Sequence, residues 1–200
     1  MGFSKKHVFL FVVLSMLWFA AFAYAAMAAE IDTVNTFRGV KFGEPVGKYS
    51  KTIERIEGME SPYGDLVFYQ PILKEDETIN IGEAEGVTVI YAAYKGKVIS
   101  ARVEVEGVES TKAIYKVLLD RFGEPTQSDM NIDEVDSMEG TDSERGYAWI
   151  GKNLTVVIIC TKNEYGMLKT SLIYVWNTLT KEMNNNRAKA VKTKAVKDLD

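Results

Sequence analysis

The chain has 200 residues, of which 46% are hydrophobic and 26% are charged, a composition typical of a globular protein of one domain or two small ones. Its formal net charge is −4. Because nucleic-acid binding usually requires a basic surface, the acidic balance argues against a nucleic-acid partner.

Residues 1–29 are typical of a secretory signal peptide. Lys5 and Lys6 form a positive n-region, Val8 to Phe22 is almost wholly apolar, and Ala26-Met27-Ala28 offers small-residue cleavage positions. The alternative is an uncleaved membrane anchor, against which the shortness of the apolar segment argues. We predict a periplasmic or secreted protein with no stable membrane anchor after cleavage.

After the signal peptide the sequence predicts a short helix and a strand. Pro45 is suited to the first position of that helix, and Gly58 to its end. The apolar residues at helical spacing between them are Val46, Tyr49, Ile53 and Ile56. A strand is predicted from Tyr63 to Tyr69, and a polar loop from Ile72 to Gly86.

A hairpin is predicted next, from Val87 to Tyr94 and from Val98 to Glu106, joined by Lys95-Gly96-Lys97. Its second strand alternates between apolar and polar residues, so one face should be buried and the other exposed to solvent. The residues expected on the buried face are Ile99, Ala101, Val103 and Val105.

The clearest helix runs from Ser110 to Phe122. Ser110 is a good N-cap residue, and Gly123 followed by Pro125 is a typical helix end. One apolar stripe follows the helical period and should cover a sheet. Its members are Ala113, Ile114, Val117, Leu118 and Phe122.

Beyond this helix the sequence predicts an acidic loop, three strands and a tail. The loop runs from Thr126 to Arg145, and the last twenty residues, 181–200, lack a lasting apolar stripe, which predicts a mobile polar tail. The predicted strands are Gly146 to Ile150, Leu154 to Thr161 and Met167 to Trp176.

The tetrapeptide Phe-Gly-Glu-Pro occurs twice, at Phe42 to Pro45 and at Phe122 to Pro125, 80 residues apart. Three predicted strands follow each copy. Two interpretations remain: an ancient duplication with halves at 42–121 and 122–180, or one continuous antiparallel sheet with a coincidental match. Either way we expect an α+β domain at 30–180, with an antiparallel sheet packed against one principal helix.

Three segments resemble a family of small, uncharacterised exported bacterial proteins. They are Phe37 to Gly43, the Tyr94 to Val98 hairpin turn, and the helix end at Arg121 to Pro125. The helix ending in Phe-Gly-Glu-Pro before a three-stranded meander is also similar to the β-lactamase-inhibitor-like and barrel-assembly lipoprotein-like modules. Such modules bind other proteins and have no catalytic residues, but this chain lacks the lipidated cysteine of that lipoprotein.

Removal of the signal peptide also removes the only histidine, His7. It lowers the basic count from 24 to 22 against 28 acidic residues, so the net charge falls from −4 to −6. A mature chain without histidine has no Ser-His or Cys-His dyad and no histidine metal ligand. We therefore predict no catalytic motif, no metal site and no cofactor.

Cys160 is the single cysteine, so no intramolecular disulfide can form. With period-2 alternation it shares a strand face with Leu154, Val156 and Ile158. We expect it to be a buried apolar side chain rather than a reactive thiol.

Three other groups of residues are candidate sites. The acidic loop at 129–144 begins like an EF-hand at Asp129, but Glu134 and Gly140 replace the required glycine and glutamate, which favours a solvated loop over a calcium site. The carboxylate pairs Glu104 with Glu106 and Asp120 with Glu124 are candidates for a hydrolase dyad, although carboxylates that face solvent along a strand are ordinary. An aromatic contact surface is the third candidate, formed by Tyr147, Trp149 and Trp176.

These observations favour a non-enzymatic binding module of the envelope, with another envelope protein as its partner. The sequence names neither that partner nor an oligomeric state. The alternatives are a carboxylate-dependent enzyme and a calcium-binding protein.

Overall fold

The computed structural model describes residues 30–75, 77–85, 87–137, 144–162 and 165–197. The predicted signal peptide, residues 138–143 of the acidic loop and the last three residues lie outside this part of the chain. The fold is α+β, as predicted: an eight-stranded antiparallel sheet is accompanied by a two-stranded hairpin and helices. No described helix is long and apolar enough to cross a membrane.

Ten strands and two principal helices make up the described fold. The hairpin consists of β1 (Thr36–Phe37) and β2 (Val40–Lys41), and the helices are α1 (Val108–Phe122) and α2 (Asn177–Lys197). The strands of the large sheet are β3 (Ile53–Glu60), β4 (Leu66–Pro71), β5 (Thr88–Tyr94), β6 (Lys97–Glu106), β7 (Gln127–Ser128), β8 (Arg145–Ile150), β9 (Leu154–Lys162) and β10 (Leu168–Trp176).

The large sheet contains two four-stranded meanders that meet at their last strands. Its strand order is β3-β4-β5-β6-β10-β9-β8-β7, and β6 pairs antiparallel with β10. Ala101 of β6 and Tyr174 of β10 are direct partners near the middle of this junction. The first meander follows Phe42 to Pro45, and the second follows Phe122 to Pro125.

The two tetrapeptides occupy different local settings. Phe42 and Phe122 are both buried, and Gly43 and Gly123 both have positive φ, at 80° and 70°. The Gly43 N–H donates to the Val98 carbonyl of β6 (2.8 Å), whereas the Gly123 N–H donates to the Leu119 carbonyl and ends α1 (2.8 Å). Left-handed glycine is therefore required at both places, for different reasons.

The predicted helix from Val46 to Ile56 is wrong beyond its first turn. A 3-10 helix spans only Val46–Tyr49, and Ile53 then begins β3. Ile53 is buried at the start of that strand, and Gly58 (φ 77°) lies in the irregular stretch between Arg55 and Glu60 rather than at a helix end. The tertiary contacts of Ile53 with the core outweighed a local spacing that fitted the helical period.

The β5–β6 hairpin forms as predicted, with Lys95 (φ 49°) and Gly96 (φ 71°) in the two-residue turn. Ala101, Val103 and Val105 are buried on one face. Ile99 is an exception, because a register shift between Ala92 and Ala93 places Ile99 and Ser100 opposite one residue. Ile99 consequently joins a second hydrophobic cluster on the other face of the sheet.

Helix α1 begins at Val108, two residues before the predicted N-cap, and its own N-cap is Gly107 (φ 89°). No side chain caps this end, and Thr111 Oγ1 donates to the Gly107 carbonyl (2.8 Å). The buried residues of the helix are Thr111, Ile114, Leu118 and Phe122. Three of these, Ile114, Leu118 and Phe122, belong to the predicted apolar stripe, so the predicted face is the one that packs on the sheet. The end at Gly123 is also confirmed.

One face of the sheet is fully covered, and we call it the α1 face. Ile114, Leu118 and Phe122 of α1 belong to one cluster with Val103, Val156 and Leu172 of the sheet. The segment from Ile31 to Phe42 closes one end of this face, where Phe37 lies 5.0 Å from the Tyr174 ring. The Asp32 carboxylate accepts the N–H groups of Lys152, Asn153 and Leu154 in the β8–β9 turn, at 2.9, 2.6 and 3.3 Å.

The predicted mobile tail is wrong, because α2 extends over Asn177–Lys197. This helix lies on the opposite face, which we call the α2 face, where Leu179 and Met183 pack against Ala92, Tyr94, Ile99, Leu66 and Phe68. Arg187 donates two hydrogen bonds to the Asp65 carboxylate (2.7 Å each), and Lys95 pairs with Glu182 (2.7 Å). The sheet therefore lies between two helices on opposite faces.

Candidate functional site

The three aromatic residues predicted as a contact surface do not form one. Tyr147 and Trp149 are buried, with 3% and 2% of their surfaces exposed, and both rings contact Tyr115 of α1. The Trp149 Nε1–H donates to the Gly123 carbonyl (2.8 Å). Trp176 is partly buried against Phe42 at the other end of the sheet. Their size and rigidity serve the core, which corrects the predicted surface.

The described part of the acidic loop forms local structure. The Asp129 carboxylate accepts the Gly146 N–H (2.5 Å), and the Asn131 side chain accepts the Asp133 N–H (3.2 Å). A 3-10 helix at Ile132–Ser137 buries Val135 against α1. Within the described ranges, no group of three or more His, Cys, Asp or Glu side chains is arranged to hold a metal ion. The EF-hand hypothesis depends on residues 138–143 and stays a prediction.

The two carboxylate pairs have ordinary surroundings. Glu104 lies on the α2 face between two cations, 2.8 Å from Arg102 and 3.2 Å from Lys169. Together with Glu106 and Glu85 it borders a shallow depression of about 300 Å³. Asp120 and Glu124 are exposed around the end of α1.

Cys160 lies in the core on the predicted face, with Leu154, Val156 and Ile158. Burial raises the pKa of its thiol, which disfavours the nucleophilic thiolate. The Thr170 hydroxyl is hydrogen-bonded to the Thr111 hydroxyl (2.7 Å between the oxygens) and lies 3.6 Å from Cys160 Sγ. Burial likewise raises the pKa of Tyr147, whose hydroxyl has no hydrogen-bond partner among the described residues.

The α2 face is covered over one meander and open over the other. Besides Val175, five apolar residues of β8, β9 and β10 lie on this face and belong to neither hydrophobic cluster. Ile150 is the most exposed, at 36%, and the others are partly exposed. We call this set the bare patch. Its members are Ala148, Ile150, Val157, Ile159 and Ile173.

A groove of about 400 Å³ runs beside the bare patch. Gly146, Ala148, Val157 and Ile159 line its apolar side, and Asp129, Glu144 and Arg145 line its rim. A Cβ at Gly146 would lie 1.8 Å from the Ile158 carbonyl oxygen, so only glycine fits there. The groove is therefore a shallow apolar floor with a mixed charged rim.

Both edges of the sheet oppose pairing with a further strand. At one edge, β3 is interrupted between Arg55 and Glu60 and carries exposed charges at Glu54 and Glu57. At the other edge, β7 is only two residues long. Thr126 Oγ1 accepts the Ile150 N–H (3.0 Å) beside it, which occupies a donor of β8. Charged side chains, irregular strands and short strands all hinder the pairing of an edge strand with a strand of another chain.

Sequence reasoning missed the bare patch, although it left a signal. Val156 and Ile158 alternate with Val157 and Ile159, so β9 is apolar on both of its faces. A strand with two apolar faces is expected between two covering layers. The structure supplies only one such layer over this part of β9 among the described residues.

Comparison of the chain with protein-family models, with curated proteins and with solved structures finds no match in any of the three. The resemblances noted in the sequence therefore stay expectations.

Proposed function

We propose that the protein is an exported, non-enzymatic binding module that takes another envelope protein on the bare patch of its sheet. The observation that carries this proposal is the unequal covering of the α2 face. Leu179 and Met183 cover the first meander, while no residue of the bare patch belongs to the cluster that they form. Contiguous exposed apolar surface rimmed by polar residues is typical of a protein interaction site.

The proposal includes an internal repeat. Each meander follows a Phe-Gly-Glu-Pro segment, and the two meet with their last strands antiparallel. This arrangement is expected if the halves descend from one unit. The export assignment rests on the composition of residues 1–29.

The geometry favours a face over an edge as the contact surface. Partner strands normally add to exposed sheet edges, and both edges here carry features that oppose such addition. The charged pairs of Arg102, Glu104 and Lys169 border the bare patch and would form a polar rim around it.

The test places a charge in the bare patch. We expect Ala148→Glu to abolish co-purification of a partner from the native envelope, because the carboxylate would have to be buried in an apolar contact. Leu73→Glu is the matched control, since Leu73 is 44% exposed and lies outside the patch. Co-purifying proteins are compared for wild type and both variants, with the melting temperature of each as a folding check. A partner set that is unchanged by Ala148→Glu would refute the proposal.

A further inference from the structure

The pairing registers of β4 with β5 and of β8 with β9 show which residues occupy equivalent positions in the two meanders. In the first meander Leu66 pairs with Tyr94 and Phe68 with Ala92. In the second, Gly146 pairs with Ile159 and Ala148 with Val157. Leu66 and Gly146, like Phe68 and Ala148, are 80 residues apart, which is the offset of the two Phe-Gly-Glu-Pro segments. The same positions of the two meanders therefore face the same side of the sheet.

The first set of positions is the binding surface of α2. Leu66, Phe68, Ala92 and Tyr94 form the floor on which Leu179 and Met183 pack. The second set, Gly146, Ala148, Val157 and Ile159, forms the floor of the 400 Å³ groove. No helix of the described residues lies on it.

We infer that the groove binds an amphipathic α-helix of the partner protein, laid across β8, β9 and β10 as α2 is laid across β6, β5 and β4. This inference rests on the proposed function and names the chemistry of the partner. It follows from the correspondence of the two floors and from continuity, since α2 itself begins at the end of β10 beside the bare patch. Helix-in-groove recognition uses apolar side chains at i, i+3 or i+4, and i+7.

The two floors differ in the size of their side chains. Gly146 and Ala148 stand where the first meander has Leu66 and Phe68. The second floor is therefore deeper, and the bound helix needs bulkier apolar side chains, aromatic ones included, to fill it at the packing density of a protein interior.

The rims of the two floors differ in the sign of the charge at one equivalent position. Asp65, which accepts two hydrogen bonds from Arg187 of α2, has Arg145 at the corresponding 80-residue offset. Arg145 is exposed, lines the groove and has no ion pair within the described part of the chain. The partner helix should therefore carry an acidic residue that pairs with Arg145 in the way that Arg187 pairs with Asp65.

The experiment maps the partner segment with a photo-crosslinking residue, p-benzoylphenylalanine, placed in the full-length chain in native cells. It replaces Ala148 on β8, Val157 on β9 and Ile173 on β10 in turn, because Val157 is the direct cross-strand partner of the other two. Adjacent strands are about 4.8 Å apart and a helix rises about 1.5 Å per residue, so each strand step corresponds to roughly three partner residues. An extended segment rises about 3.3 Å per residue, which gives roughly 1.5 residues per step.

We expect mass spectrometry to place the three crosslinks on one partner segment at intervals of three or four residues. Arg145→Glu should lower the crosslinking yield severalfold, whereas the control Arg55→Glu on the far edge should leave it unchanged. Intervals of one or two residues, or crosslinks scattered over unrelated segments of the partner, would overturn the helix inference alone. Crosslinks to a second copy of this chain would overturn the proposed function as well. Absence of any protein crosslink from all three positions would overturn the proposed function with it.

Discussion

At the scale of single residues, alternation along a strand determines which face of the sheet each side chain joins. Cys160 lies on the face expected from Leu154, Val156 and Ile158, because strict alternation leaves a strand no other arrangement. Alternation failed at Ile99, which changes face, because a register shift depends on the partner strand β5 and not on the local pattern. The predicted N-cap at Ser110 was also wrong, because Gly107, three residues earlier, is the N-cap of α1.

Cys160→Ala should cost about 1 kcal/mol of unfolding free energy, on the scale of deleting one small buried group. The substitution should leave partner binding intact, because the thiol lies under α1 and away from the bare patch. Urea denaturation of wild type and variant measures the cost. Rapid reaction of the native wild-type thiol with a maleimide, at the rate seen for the unfolded chain, would contradict this assignment.

At the scale of elements, strands and α1 were predictable because each carries its own pattern. Helix α2 was not, because only Leu179 and Met183, among the side chains that the structure describes in it, pack in a hydrophobic cluster. The groups that fix it are far away in sequence: Glu182, Asn186 and Arg187 bind partners that are 87, 92 and 122 residues distant. No local pattern reports such contacts, and the many polar residues favoured a tail instead.

Arg187→Met should loosen α2 by roughly 1–3 kcal/mol, because it removes two charge-assisted hydrogen bonds and leaves the Asp65 carboxylate partly buried without its cation. Methionine keeps most of the aliphatic part of the arginine side chain, so the loss of stability measures the contribution of the guanidinium group. Amide hydrogen exchange along α2 is the measurement. Lys192→Met, at an exposed position of the same helix, is the matched control.

Acid should destabilise α2 more in wild type than in Arg187→Met. The hydrogen bonds of Arg187 lower the pKa of Asp65 below its ordinary value of 3.8. A lowered folded-state pKa gives stability that is present above 3.8 and is lost as the pH falls through the folded value. Protection of α2 should therefore fall with acid in wild type and much less in Arg187→Met. Equal acid sensitivity of the two would contradict the role given to this ion pair.

At the scale of the molecule, the α+β class and the antiparallel sheet were predictable from the strand patterns and the one strong helix. The unequal covering of the sheet was not, because it depends on how far α2 reaches across the α2 face. It leaves Ala148, Ile150, Val157, Ile159 and Ile173 without a described covering layer. In the proposed binding mode, the partner contacts the apolar floor of the second meander as α2 contacts that of the first.

Cysteine labelling in cells and in purified protein tests this central claim most directly, because native Cys160 is buried and adds little background. Ala148→Cys places a thiol in the bare patch, and Ala92→Cys, at a 7% exposed position beneath α2, is the matched covered control. In purified protein a maleimide should label Ala148→Cys rapidly and Ala92→Cys slowly. In intact cells Ala148→Cys should become as protected as Ala92→Cys. Equal, rapid labelling of Ala148→Cys in cells and in purified protein would contradict the claim that a partner covers the bare patch.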